Sequence, residues 1–248
     1  NYFRKGVKMY LKEEFLSIQG EGRFRGEISI FIRFAKCNRT CEDLKIEYKI
    51  NNINKYGCDS YDSVDKAFKH LWKKVSFDDL KKIVLKYPNC KNVVITGGEP
   101  LININDKDFI LFLYFLKTYN YKTTIETNGD INIIDLSIAK DVIFSISPKD
   151  EIESKNYWFL NKNSYIKSIY NHSKISLGYL NKLKTEGIDI FIMPNGNEYE
   201  IINSQKREVF DYCIKNGFNF TDREHINIFK NEAKNESIIM DNMTHDSY

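Results

Sequence analysis

The sequence predicts an α/β fold, a partial (β/α) barrel of about six mostly parallel strands. Three observations lead there. Short runs rich in β-branched and aromatic residues alternate with segments of helical period. The turns after those runs carry the chemically distinctive residues: cysteines after 28–35, Gly97-Gly-Glu-Pro100 after 93–95, Thr127-Asn-Gly129 after 122–126, Ser147-Pro-Lys149 after 142–146, and Pro194-Asn-Gly196 after 188–193. In parallel α/β folds the C-terminal strand ends share one rim, where ligands bind. Finally, the 248 residues contain no linker and no internal repeat, which predicts one domain over 1–230 followed by a flexible tail at 231–248.

Residues 1–13 are polar and mixed, a lead-in arm or strand. Gly20-Glu-Gly22 is a tight-turn signal and predicts a surface hairpin. Residues 28–35 alternate as a buried strand, with Ile28, Ile30, Ile32 and Phe34 on one face and Arg33 on the other. Residues 42–57 are polar and Asn-rich, a loop or small hairpin inserted between cysteines. Val64, Ala67, Phe68, Leu71 and Trp72 recur at helical spacing and predict a helix over 61–72, with His70 off the stripe as a surface histidine. Ser76-Phe-Asp-Asp79 has the form of a capping box and starts the next helix. Strands at 93–95, 122–126, 142–146 and 188–193 follow, with helices at 106–119, 175–186 and 198–216, the last stopped by Gly217. Residues 150–170 have no clear period, and 225–229 predict a final short strand. Cys90 and Cys213 fall at packing positions.

A formal net charge of +3 gives no case for a nucleic-acid surface. No apolar run reaches the ~18–20 residues of a membrane span, and no signal-peptide pattern opens the sequence as it stands. Five cysteines, three of them crowded together, argue against a disulfide framework and for a reducing, cytoplasmic setting.

The crowded three are Cys37-Asn-Arg-Thr-Cys41 and, after sixteen residues (42–57), Cys58. Thiolates are soft ligands that suit zinc or iron–sulfur clusters. Structural zinc needs a fourth ligand, which His70 could supply only across a long loop. Three cysteines on a cluster would instead leave one iron open. The loop alone leaves both readings standing.

Taken together in this order, the cysteine triplet, Gly97-Gly-Glu-Pro100, Glu126-Thr-Asn-Gly129 and Ser147-Pro-Lys149 resemble the radical S-adenosylmethionine enzymes. Ser17-Ile-Gln-Gly-Glu-Gly22, Ile30-Phe-Ile-Arg-Phe-Ala-Lys-Cys37 and Gly217-Phe-Asn-Phe-Thr-Asp-Arg-Glu-His225 narrow the resemblance to the 7-carboxy-7-deazaguanine synthase family. It covers roughly residues 13–229 and sets zinc well behind a cluster. Three departures stand out. The commonest radical enzymes space their cysteines Cys-x3-Cys-x2-Cys, against sixteen residues in the second gap here. An aromatic residue often precedes the third cysteine, where this chain has Gly57 with Tyr56 beside it. The family's Cys-Asp-Thr is Cys58-Asp-Ser60.

The resemblance implies a fold of the radical S-adenosylmethionine type and a carbon–nitrogen lyase. Cys37, Cys41 and Cys58 would hold a 4Fe-4S cluster whose open iron is chelated by S-adenosylmethionine. Gly98, Glu99, Asp59, Ser147, Pro148 and Lys149 would serve the cofactor. Ile18, Gln19, Gly20, Arg33 and Thr96 would bind 6-carboxy-5,6,7,8-tetrahydropterin, with His225 nearby or structural. Ser60 would ligate magnesium, unless it caps the helix expected to begin at Tyr61. A homodimer and an electron donor such as flavodoxin or ferredoxin are implied as well. Two other readings remain at this point, a radical activase acting on a partner protein and a non-enzymatic zinc module.

Overall fold

The computed structural model describes residues 9–131, 140–151 and 163–230. The expected tail at 231–248 lies outside them. One nine-stranded sheet organises the rest. Its strands are β1 (Tyr10–Ile18), β2 (Ile28–Phe34), β5 (Lys73–Lys74), β6 (Asn92–Gly97), β7 (Lys122–Thr127), β8 (Val142–Ile146), β9 (Tyr165–Ile169), β10 (Asp189–Met193) and β11 (Asn219–Phe220), in the spatial order β11-β10-β9-β8-β7-β6-β2-β1-β5. From β2 to β11 every pairing is parallel, whereas β1 runs antiparallel to β2 and β5 antiparallel to β1. The six longer parallel strands match the expected number. A separate hairpin, β3 (Ile46–Ile50) with β4 (Ile53–Gly57), occupies the cysteine insertion.

Strand alternation divides the residues between two faces. Ile30, Ile32 and Phe34 of β2, Val93 and Ile95 of β6, and Phe144 and Ile146 of β8 join the main core. That core is closed by helices, through Leu80 and Val84 of Phe77–Leu85, Phe109, Phe112 and Leu116 of Lys107–Thr118, Leu180 and Leu183 of Leu177–Thr185, and Val209 and Cys213 of Tyr199–Asn216. Phe31, Val94 and Phe15 form a smaller cluster on the opposite face. The face away from the helices therefore carries the residues of opposite parity, among them Arg33, Thr96, Glu126 and Lys167 near the strand ends.

Local signals account for the helix ends. Ser76 and Asp79 form the reciprocal capping box, with Asp79 N donating to Ser76 Oγ (3.4 Å) and Ser76 N to Asp79 Oδ2 (2.9 Å). Gly217 ends its helix in the left-handed region, at φ 63°.

Four expectations change. Residues 61–72 are not one helix but a turn at Tyr61–Val64 and a 3-10 segment at Lys66–Leu71. Asp65 interrupts them in extended conformation, its carboxylate accepting from Ala67 N (2.9 Å), Tyr48 Oη (3.0 Å) and Lys55 Nζ (3.0 Å). Residues 225–229 lie in a helix, Glu224–Phe229, and not a strand. Its first N–H groups are taken by Gly20 O (2.8 Å, from Glu224) and Arg223 O (2.9 Å, from Ile226), and the polar–apolar alternation of His225-Ile-Asn-Ile-Phe229 mimics a strand over too few residues to settle the choice. The Gly20–Gly22 turn does join β1 to β2, but it is buried instead of lying on the surface. Strand β9 was hidden in the stretch without clear period: Ile166 enters the core while Tyr165 and Lys167 are buried on the other face, so no polar side alternates with an apolar one.

Gly97 sets the packing of β2 against β6. Its φ is 127°, and a Cβ there would stand 1.9 Å from the Phe34 carbonyl oxygen. Gly97→Ala should therefore cost about 3 kcal/mol or more, since both backbone strain and overpacking oppose it. Gly217→Ala, which meets only the mobile end of Lys184, should cost about 1–2 kcal/mol. Urea unfolding of the two variants against wild type checks the ordering, and equal losses would show that the β2–β6 approach is not tight.

Candidate active site

Four side chains line up across the strand ends on the face away from the helices. Arg33 of β2 stands opposite Thr96 of β6. Thr96 Oγ1 donates to Glu126 Oε2 of β7 (2.8 Å), and Glu126 Oε1 accepts from Gln19 Nε2 (3.3 Å) and Lys167 Nζ of β9 (3.1 Å). Lys167 also donates to Glu21 Oε2 (2.7 Å), and Glu21 Oε1 accepts from Arg223 Nε (2.6 Å). Arg223 then reaches Asp59 Oδ2 with Nη2 (2.9 Å) and the Gly196 carbonyl with Nη1. A run of paired charges thus passes from the middle of the sheet to the residue beside Cys58.

Burial makes this pairing obligatory. Glu21, Lys167 and Arg223 are each less than a tenth exposed, where an unpaired charge is strongly disfavoured. Burial alone would raise the Glu21 pKa, but Lys167 and Arg223, with His225 further off, hold it well below the ordinary value. The same burial would neutralise Lys167, yet Glu126 and Glu21 keep its ammonium charged. His225 is half-buried and packs against Gly20, where a Cβ would lie 2.0 Å from its Nδ1, and desolvation lowers its pKa. It therefore stays neutral near pH 7.

The cysteine loop folds over one end of this row. No disulfide joins the five cysteines, and Cys90 and Cys213 are buried as expected. Cys37, Cys41 and Cys58 are partly exposed. Burial lifts the Cys37 thiol to about 11 and the Cys58 thiol to about 12, and Cys41 adds a smaller push to each. Among the described residues, no three His, Cys, Asp or Glu side chains gather closely enough to hold a single ion. A structural zinc site wants four protein ligands, and no fourth His, Cys or carboxylate gathers with the three thiols among the described residues. The backbone of Gly98 passes against this loop: a Cβ there would sit 2.1 Å from Lys36 O and 3.2 Å from Cys37 Cβ, so only glycine leaves the space beside the first cysteine.

Other expected residues fall around the same rim. Glu99 is fully buried and its carboxylate accepts from Leu101 N (3.0 Å), Thr127 Oγ1 (2.8 Å) and Asn128 N (2.7 Å), locking the Gly-Gly-Glu-Pro turn to the Thr-Asn-Gly turn. Burial pushes its pKa up to about 7 against those three donors. Ser147, Pro148 and Lys149 follow β8, and Lys149 lies close enough to Cys58 and Asp59 to favour their charged forms. Ile18, Gln19 and Gly20 close β1, and Gln19 Oε1 accepts from Glu21 N (3.1 Å). Arg33 gives Nε to Glu13 Oε1 (2.7 Å) and Nη1 to Ser60 Oγ (3.3 Å). Ser60 does precede the Tyr61–Val64 turn, but its side chain makes no capping hydrogen bond.

Sequence reasoning gave no role to Glu21, Glu126, Lys167 or Arg223. Glu21 and Glu126 lay inside motifs already noted. A lysine in an otherwise apolar run, Tyr165-Ile-Lys, was the available signal for the third. Arg223 also lay inside a motif already noted, 217–225, but nothing there gave its partners, which lie 164 and 202 residues away.

Three crowded cysteines after the first parallel strand, a Gly-Gly-Glu-Pro turn after the second and a polar row on the open face of the sheet define a radical S-adenosylmethionine enzyme of the partial-barrel class. No protein-family profile matches the chain. It is 31% identical to 7-carboxy-7-deazaguanine synthase of Buchnera aphidicola subsp. Schizaphis graminum, over 83% of this chain and 89% of that one. It is 26% identical to the synthase of Halobacterium salinarum, over 89% and 90%. The crystal structure of QueE from Escherichia coli superposes with a TM-score of 0.62 at 21% identity, covering 90% of this chain and 97% of that chain, and so shares the fold. The chain belongs to the 7-carboxy-7-deazaguanine synthase family.

The depressed pKa of Glu21 makes the network acid-sensitive. Its contribution to stability is fully present above the ordinary carboxylate value of 4.5 and is lost as pH falls through the lower folded value. Denaturant unfolding between pH 7 and pH 3 should show a shallower fall for Glu21→Gln than for wild type. Parallel curves would mean that Glu21 is not coupled to Lys167 and Arg223.

Proposed function

We propose that the chain converts 6-carboxy-5,6,7,8-tetrahydropterin to 7-carboxy-7-deazaguanine with loss of ammonia. The observation that carries this is the juxtaposition of the cysteine loop with the row Arg33, Thr96, Glu126 and Lys167, in a chain of this family. Cys37, Cys41 and Cys58 would hold a 4Fe-4S cluster, which with bound S-adenosylmethionine supplies radical hydrogen abstraction. Gly98 leaves room beside Cys37 for the methionine end of the cofactor, and Ser147 with Lys149 would meet its ribose and carboxylate side, beside Pro148 and Asp59. Buried Glu99 would act by fixing the turn that presents Gly98.

The remaining work is binding and orientation. Gln19, Thr96 and Glu126 offer donors and acceptors in fixed positions for the polar edge of a pterin, with Ile18 and Gly20 closing the end of β1 over it. Arg33 presents a planar guanidinium suited to a carboxylate, and Glu13 holds it from behind. Ser60, 3.3 Å from Arg33 Nη1, would share that carboxylate through magnesium, a hard ion that keeps several waters and needs few protein ligands. Absence of a cap bond from Ser60 to its helix supports this role. The protein would work as a cytoplasmic homodimer reduced by a one-electron carrier such as flavodoxin or ferredoxin.

Anaerobic incubation with the carboxypterin, S-adenosylmethionine and a reductant, followed by mass spectrometry, should yield the deazaguanine product; cofactor cleavage without it would overturn the substrate assignment. Alanine at Cys37, Cys41 or Cys58 should lower iron content and abolish cofactor cleavage, whereas Cys90→Ala and Cys213→Ala should retain both. Arg33→Lys keeps the charge but loses the fork, and should weaken substrate binding by roughly tenfold to a hundredfold, the worth of a charge-assisted hydrogen bond of ~1.5–3 kcal/mol. Magnesium titration should find Ser60→Thr active and Ser60→Ala needing more ion; an unchanged response in Ser60→Ala would place the metal elsewhere.

A further inference from the structure

The two halves of the cysteine loop are anchored separately. Asn38 and Arg39, between Cys37 and Cys41, are tied to the turns after β7 and β8. Asn38 Oδ1 accepts from Asn128 Nδ2 (2.8 Å), Arg39 Nη2 donates to Asp130 Oδ1 (2.9 Å), and Arg39 Nη1 pairs with Asp150. Sixteen residues separate Cys58 from Cys41, and it lies on the far side of the β3–β4 hairpin. The hairpin closes most of that distance by pairing Ile46 with Gly57, so the third cysteine is placed by non-covalent contacts and not by a short covalent link to the second. The base of the hairpin is fixed by the Asp65 contacts, by Tyr48 stacked on Tyr61 and packed beside Phe68, and by Gly57 lying against the Thr40 carbonyl. Immediately after Cys58, however, Asp59 receives Arg223 Nη2 at 2.9 Å. The same guanidinium is fixed by Glu21 (2.6 Å) and the Gly196 carbonyl, and the preceding residue, Asp222, is held by Lys206, whose Nζ lies 2.9 Å from Asp222 Oδ2.

Resting on the function proposed above, we infer that Arg223 is a positioning residue. Through Asp59 it fixes the third cluster cysteine against the Gln-Gly-Glu-Gly turn, replacing the short cysteine spacing this chain lacks. Its three donor nitrogens bind Glu21 and Gly196, in the turns after β1 and β10, together with Asp59, so the third cysteine is tied to two turns remote from the loop. Arg223 touches no reacting atom in this role. Its effect is on where the Cys58 thiolate and the adjoining Ser60 hydroxyl stand. Because a planar fork is needed to serve Glu21, Asp59 and Gly196 together, lysine cannot substitute for it.

The test uses the full chain in two states. In anaerobic metal-free protein, iodoacetamide labelling of each cysteine is followed by mass spectrometry. In iron-loaded protein, cluster loss under chelator and the electron paramagnetic resonance signal with and without S-adenosylmethionine are recorded. Asp59→Asn leaves Arg223 paired with Glu21 and should fold, whereas Arg223→Gln also disturbs Glu21. Both should raise Cys58 labelling severalfold with Cys37 unchanged, hasten iron loss roughly tenfold and alter the signal. The double variant should add nothing to the larger single effect, since both remove one link. Arg223→Lys should behave as Arg223→Gln, and Arg207→Gln, in an exposed helix pair with Asp211, should match wild type. Cys58 labelling and cluster retention unchanged in folded Asp59→Asn would overturn the inference. A folded Arg223→Lys indistinguishable from wild type would overturn it as well. Labelling needs neither cluster nor pterin, so a failure of the proposed reaction would show separately, as absent turnover in wild type.

Discussion

Buried charge governs this structure. Glu21, Lys167 and Arg223 lie where none could remain ionised alone, and each is kept charged by partners from other segments. Satisfying them requires the end of β1, the ends of β7 and β9, and the segment after β11 to meet at one place. Such a network is a poor source of net stability, because desolvation offsets most of the Coulomb attraction. Its consequence is geometric: removing any member leaves another charge exposed to a low-dielectric interior, so the strand ends are held in one arrangement.

That arrangement explains why the site lies on the face opposite the helices. The helical face is consumed by apolar packing from β2 through β10. On the other face the parallel registers bring Arg33, Thr96 and Glu126 to neighbouring positions, and the long side chain of Lys167 reaches Glu126 across β8, which completes a polar row. The turns beyond it are bound to one another by Glu99, and the close approach of Gly97 and Gly98 to Phe34 and Lys36 brings the second turn against the cysteine loop. Gly98 N to Phe34 O (3.0 Å) and Glu99 N to Lys36 O (2.9 Å) complete that contact. The loop is thereby held at its root by backbone and further out by side-chain pairs.

The sequence by itself determined what local chemistry can specify. Capping at Ser76–Asp79, the stop at Gly217, the strands at 28–35, 93–95, 122–126, 142–146 and 188–193, and the crowding of Cys37, Cys41 and Cys58 all depend on residues within a few positions of one another. The rule that strand ends share a rim then placed the cysteines, the Gly-Gly-Glu-Pro turn and the Ser-Pro-Lys turn together. Tertiary structure alone decided the rest. Strand β9 is buried on both faces and so lacks the alternation that marks a strand, and the helix at 224–229 starts where the Gly20 carbonyl, from the distant β1–β2 turn, receives the Glu224 N–H. Lys167 and Glu21 are 146 residues apart, and Arg223 and Glu21 are 202 apart. No periodicity or motif encodes such a pairing, because it exists only after the parallel sheet has wound those segments to a common edge, where desolvation compels opposite charges to find each other.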